Sequence, residues 1–126
     1  MRLLMLATLG GGIGAGIRYL TQVAMVRALG PAFPWWTFAI NVSGSFAMGV
    51  IATMVMLRFD GSPELRAFLA TGILGGFTTF SAFSLDAANL MSKHENGAAA
   101  FYILGSVGLS IAGLYAGVAL AKAIWS

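Results

Sequence analysis

Long apolar runs separated by short polar clusters dominate the chain. Leu3–Val26 carries a single charge, Arg18, and Trp35–Leu57 carries none. Ala67–Met91 holds Asp86 near its end, and Ala98–Ile124 is charged only at Lys122. About 20 mostly apolar residues suffice to cross a bilayer, so each run predicts one transmembrane helix. The separators read as turns: Pro31 and Pro34 after the first run, Asp60, Gly61, Pro63 and Glu64 after the second. Lys93, His94, Glu95, Asn96 and Gly97 follow the third. Tyr19, Trp35, Trp36, Tyr102 and Trp125 fall near run ends, where amphipathic rings favour the headgroup level. The expectation is an all-α membrane protein, one domain over residues 1–126, with helices at about 3–26, 35–57, 67–91 and 98–124. The first run reaches past Arg18 and three more follow it, so it is read as a retained helix rather than a cleaved signal.

Composition agrees. With 59% hydrophobic and 9% charged residues, the chain lacks the polar coat of a soluble domain. There is no cysteine, which excludes disulfides and thiolate metal sites. The net charge of +3 is scattered and forms no basic stripe of the kind nucleic acid requires. No catalytic triad, carboxylate dyad or phosphate loop is present, so no enzyme is expected.

Loop charges give a weak orientation. The side holding the N-terminus, side one, carries Arg2, Arg58, Arg66 and Lys122 beside Asp60 and Glu64; side two carries Arg27 and Lys93. So small a bias permits insertion both ways, and two opposed copies would form an antiparallel dimer. Small residues at four-residue spacing, Gly10/Gly14, Gly12/Gly16, Ser45/Gly49 and Gly113/Gly117, predict close helix contacts.

Polar groups inside a bilayer are costly and usually have a task. Thr37, Asn41 and Ser45 share one stripe of helix two, and Tyr102, Ser106 and Ser110 share one stripe of helix four. Both stripes run inward from side two and suit a hydrogen-bonding track. A serine can instead satisfy its own helix carbonyl, whereas the Asn41 amide needs outside partners. In helix three, Gly75 and Gly76 precede β-branched Thr78 and Thr79, a poor helical sequence near mid-span. Unwound backbone there must be buried or face a watery cavity, and its freed carbonyls would suit a hard cation. Phe80 and Phe83 share a face; packing is the ordinary reading, and an anion at the positive ring edges the functional one. Arg18 and Asp86 lie at similar depth near side two and are read as an ion pair or as residues of a pathway mouth. His94 has no companions for a metal site.

Three blocks resemble the Fluc fluoride channels, a family of small CrcB-like membrane proteins. They are Gly12-Ile-Gly-Ala-Gly-Ile-Arg-Tyr19, Thr37-Phe-Ala-Ile-Asn-Val-Ser-Gly44 with Gly49, and Thr71-Gly-Ile-Leu-Gly-Gly-Phe-Thr-Thr-Phe-Ser-Ala-Phe-Ser84. The last is the most specific, and the resemblance covers nearly the whole chain. It implies a dual-topology, antiparallel homodimer in a bacterial inner membrane with two passive fluoride pathways. Phe80, Phe83, Asn41, Thr79, Tyr102, Ser106 and Ser110 would line each pathway. A structural sodium ion at the dimer centre would be held by the backbone carbonyls of Gly75 and Thr78 from both copies. One departure is Asp86, where the family usually has glutamate. Rival readings are a small multidrug antiporter, which would need a titratable carboxylate where helix one has Arg18, and a holin-like assembly, which leaves the polar stripes unexplained.

Overall fold

A computed structural model describes residues 1–126. It is entirely helical, with four helical segments long and apolar enough to cross a membrane: Arg2–Leu29, Trp35–Arg58, Pro63–Ser92 and Asn96–Trp125. The first, second and last are the continuous helices α1, α2 and α6. The third is composite. It comprises a turn α3 (Pro63–Leu65), a π-helical stretch (Arg66–Leu74), a turn α4 (Gly75–Phe77) and helix α5 (Phe80–Ser92). Between α4 and α5 the backbone is extended, with φ/ψ of −82°/158° at Thr78 and −153°/124° at Thr79.

Several ends lie outside the apolar runs for local reasons. The third segment begins at Pro63 rather than Ala67. Ser62 Oγ accepts a hydrogen bond from the Leu65 amide at 3.3 Å, Pro63 occupies the first helical position and Glu64 the first turn. Arg27 extends α1 through its last turn, where a cation meets the negative helix end. Lys122 does the same in the last turn of α6. The Asp60–Gly61 turn places two successive residues at positive φ, 53° and 68°.

The bundle is two tightly packed pairs, α1 with the π-helical stretch and α2 with α6. Glycine allows the close approach in both. Gly10 lies against the Phe68 carbonyl and Gly72, Gly14 against the Ile73 carbonyl and Phe77 amide, and Gly76 against Gly11. In the second pair Gly49 meets Leu114 and Gly117 meets the Phe46 carbonyl. A Cβ at any of these would strike backbone, so the helices would have to separate and lose their dispersion contacts. At Gly12 and Gly16 a Cβ would meet nothing within the chain, because that stripe of α1 faces outward. Little of the chain is buried, and its exterior, including Leu4, Leu20, Leu104 and Tyr115, is apolar. Such a surface suits lipid and further protein, not water.

Candidate functional site

The two extended threonines are held by side-chain chemistry. Thr78 donates from both its amide and its Oγ1 to the Leu74 carbonyl, at 3.0 and 2.9 Å, closing the helix before it. Thr79 Oγ1 accepts from the Ala82 amide at 3.2 Å and caps α5. The Thr79 main chain is then clamped from α2. Its amide donates to Asn41 Oδ1 at 2.9 Å, and Asn41 Nδ2 donates to its carbonyl at 3.0 Å. The Asn41 amide thus pairs with Thr79 as a neighbouring strand would. An unbroken helix would direct the Thr79 amide to the Gly75 carbonyl, so that carbonyl loses its usual donor. The Thr78 carbonyl accepts no main-chain hydrogen bond.

Around this clamp lies a cavity of about 320 Å³. From α2 it is lined by Asn41, Gly44, Ser45 and Met48, and from the third segment by Thr78, Thr79, Phe80 and Phe83. From α6 it is lined by Ser106, Val107, Ser110, Ile111 and Leu114. The proposed pathway residues therefore converge here, except Tyr102. That residue sits behind Phe83, 0% exposed, with ring centroids 5.1 Å apart. Its hydroxyl donates to Asp86 Oδ2 at 3.1 Å, so its proton is already committed to the intramembrane carboxylate. Asn41 is corrected in part: one of its two N–H donors serves Thr79, leaving the other for the cavity.

Ser106 stands apart among the hydroxyls. Thr8, Thr21, Ser43 and Ser84 each donate to a carbonyl one turn back in their own helix. Ser106 Oγ is buried, in a residue 4% exposed, and has no hydrogen-bond partner. A buried hydroxyl without a partner costs about 1–3 kcal/mol, and Ser106 lines the same cavity as Asn41 and two phenyl rings.

The rings themselves differ. Phe80 is 76% exposed and Phe83 8%, with centroids 5.5 Å apart and planes tilted by 43°. Packing on Tyr102 accounts for one side of Phe83; nothing in the chain covers Phe80.

Arg18 and Asp86 do not form the ion pair read from the sequence, since the only salt bridge is Arg2–Glu64 at 2.8 Å. Instead both line a second cavity, of about 290 Å³, with Tyr19, Gln22, Trp36 and Thr37. Asp86 turns toward Tyr102 on α6, which leaves Arg18 on the opposite wall. Gly75 is exposed in the single chain and borders a third cavity of about 510 Å³ between α2 and the π-helical stretch. No three of the histidine, aspartate and glutamate side chains come together as metal ligands.

A family model described as "CrcB-like protein, Camphor Resistance (CrcB)" matches residues 5–118. Relatives named "Fluoride-specific ion channel FluC" align over nearly their full length. That of Chelativorans sp. is 55% identical over 121 residues, 96% of this chain and 97% of its own. Those of Rhodospirillum centenum and Rhodopseudomonas palustris are 52% and 56% identical, each over 97% of its own length and covering 97% and 95% of this chain.

Proposed function

We propose that this chain, which belongs to the CrcB-like family, is a fluoride-selective channel and passes the ion passively down its electrochemical gradient. The observation that carries the reading is the unpartnered Ser106 hydroxyl, buried in one cavity with Asn41, Phe80, Phe83 and Ser110. Fluoride is small and strongly hydrated, so its water must be replaced by several weak donors that still release it. Hydroxyls, one amide N–H and phenyl ring edges are neutral and plural, which meets both demands. A lysine among them would hold the ion too firmly. Arg18 forms no salt bridge with Asp86, which lines the same second cavity, so its guanidinium is left to meet an anion at the side-two entrance. Weak-acid entry loads fluoride into a more alkaline cytoplasm, and a passive pathway lets the membrane potential drive it out.

The functional unit in this reading is an antiparallel homodimer with two pathways. Two observations support it: Phe80 lies bare on a single copy, and the loop Lys and Arg residues split only four to two between the sides, a small orienting bias. The interruption at Thr78–Thr79 then falls near the membrane midplane, beside the second copy. The Gly75 and Thr78 carbonyls fit a sodium ion there, since one has lost its helical donor and the other has no main-chain partner. Neutral oxygens without a nearby acid cluster suit a monovalent cation better than magnesium, which dehydrates reluctantly. When bound, the ion would join the two copies electrostatically.

Liposomes loaded with potassium fluoride or chloride, opened with a potassium ionophore, test the reading. Wild-type protein is expected to release fluoride and retain chloride. Ser106→Ala removes the orphaned hydroxyl, so its stability should stay within about 1 kcal/mol of wild type or exceed it, while fluoride release slows several-fold. Retention of both anions by wild-type vesicles sinks the channel reading; unchanged release from Ser106→Ala removes the serine from the pathway.

A further inference from the structure

The three cavities are neighbours in series from side two toward side one, and each adjoining pair shares one lining residue. Thr79 belongs to the walls of both the Arg18 cavity and the central one. Met48 belongs to the walls of both the central cavity and the third one, which reaches Arg66 on side one. The two shared residues differ in kind. Thr79 is clamped at both its amide and its carbonyl by Asn41. Met48 is an unbranched thioether with three rotatable bonds that fills irregular space and changes rotamer readily.

Its position on α2 is also particular. Asn41 and Ser45 precede it on one helical stripe, and after them the polar groups of the central cavity end. On α6 the polar stripe likewise stops at Ser110, and Ile111 and Leu114 complete the wall beside Met48. An ion leaving the serines toward side one meets this apolar stretch of wall, and apolar constrictions close by drying and open by wetting.

We propose that Met48 is the gate of the pathway on side one: its side chain separates the polar track from the third cavity, and fluoride passes when it swings aside. The proposal rests on the channel reading above and adds a residue that sets both rate and selectivity. The same geometry makes two substitutions opposite in effect. Met48→Ala joins the cavities, so fluoride release should equal or exceed wild type and chloride leak should rise tenfold or more. Met48→Phe fills the partition with a rigid ring and should slow fluoride release at least tenfold.

Because the chain has no cysteine, Met48→Cys can be modified selectively in reconstituted vesicles. A methyl methanethiosulfonate adduct approximates the native thioether and should conduct like wild type. A benzyl adduct should block. Leu104→Cys, on the exposed face of α6, should be insensitive to both. Unchanged fluoride rate and chloride exclusion in Met48→Ala, with no block by the benzyl adduct, overturns the gate while wild-type release leaves the channel reading intact. Fluoride retained by wild-type vesicles overturns the channel reading, and the gate with it.

Discussion

Replacing Asn41 with aspartate is expected to cut fluoride release about a hundredfold. The carboxylate keeps an acceptor for the Thr79 amide but offers no donor to the Thr79 carbonyl, which Asn41 Nδ2 now serves at 3.0 Å. Two oxygens then face each other across the clamp, and an anionic group enters the wall of the central cavity. Losing a part-buried hydrogen-bond partner costs about 1–3 kcal/mol, and about 2.8 kcal/mol is a hundredfold at 1.4 kcal/mol per decade. Repulsion between the carboxylate and the ion adds to it. Efflux from liposomes, alongside size-exclusion elution to confirm an intact assembly, measures this. Wild-type release from an intact Asn41→Asp protein would mean that the ion does not pass the clamp.

The phenylalanines give the second large effect, and their unequal burial makes it interpretable. Phe80→Ile and Phe83→Ile keep much of the apolar volume but delete the ring edge. Each aromatic contact is worth about 0.5–1.5 kcal/mol, so each variant should slow fluoride release several-fold to tenfold if the rings stabilise the ion at its barrier. Stability should separate them. Phe83 is 8% exposed and packs on Tyr102, so its replacement should cost about 1–2 kcal/mol in unfolding. Phe80 is 76% exposed and touches the Phe83 ring at its edge of the cluster, so it has far less packing to lose. Slow release by Phe80→Ile at unchanged stability supports ion contact over packing. Wild-type rates from both variants would return the rings to a structural role.

The four membrane segments were legible because lipid imposes one requirement, a long apolar run, that sequence displays directly. Their ends were less so. The Ser62–Pro63–Glu64 cap sits in a cluster that reads as a loop, and only its capping geometry moves the helix start back to Pro63. Helical spacing assigned Ser106 and Ser110 to one stripe, and the structure brings both to the cavity that holds Asn41. Spacing cannot say which neighbour a polar group meets across the bundle. Asn41 finds Thr79, 38 positions away. Asp86 finds Tyr102 rather than Arg18, because α6 and not α1 lies within reach of its short side chain. Met48 drew no attention as a methionine in an apolar run. Its place between two cavities exists only after α2, α6 and the third segment pack together.

The central claim is passive, fluoride-selective conduction, and the reversal potential of the current in a planar bilayer tests it most directly. With a tenfold fluoride gradient, equal chloride and equal pH across the membrane, the current should reverse at about 59 mV, the potential for a single charge moving alone. Imposing a pH gradient should leave that value unmoved, because the neutral hydroxyls, amide and rings of the pathway neither bind nor release a proton as the ion passes. A reversal near zero under the fluoride gradient, or one that follows chloride or pH, would contradict the account.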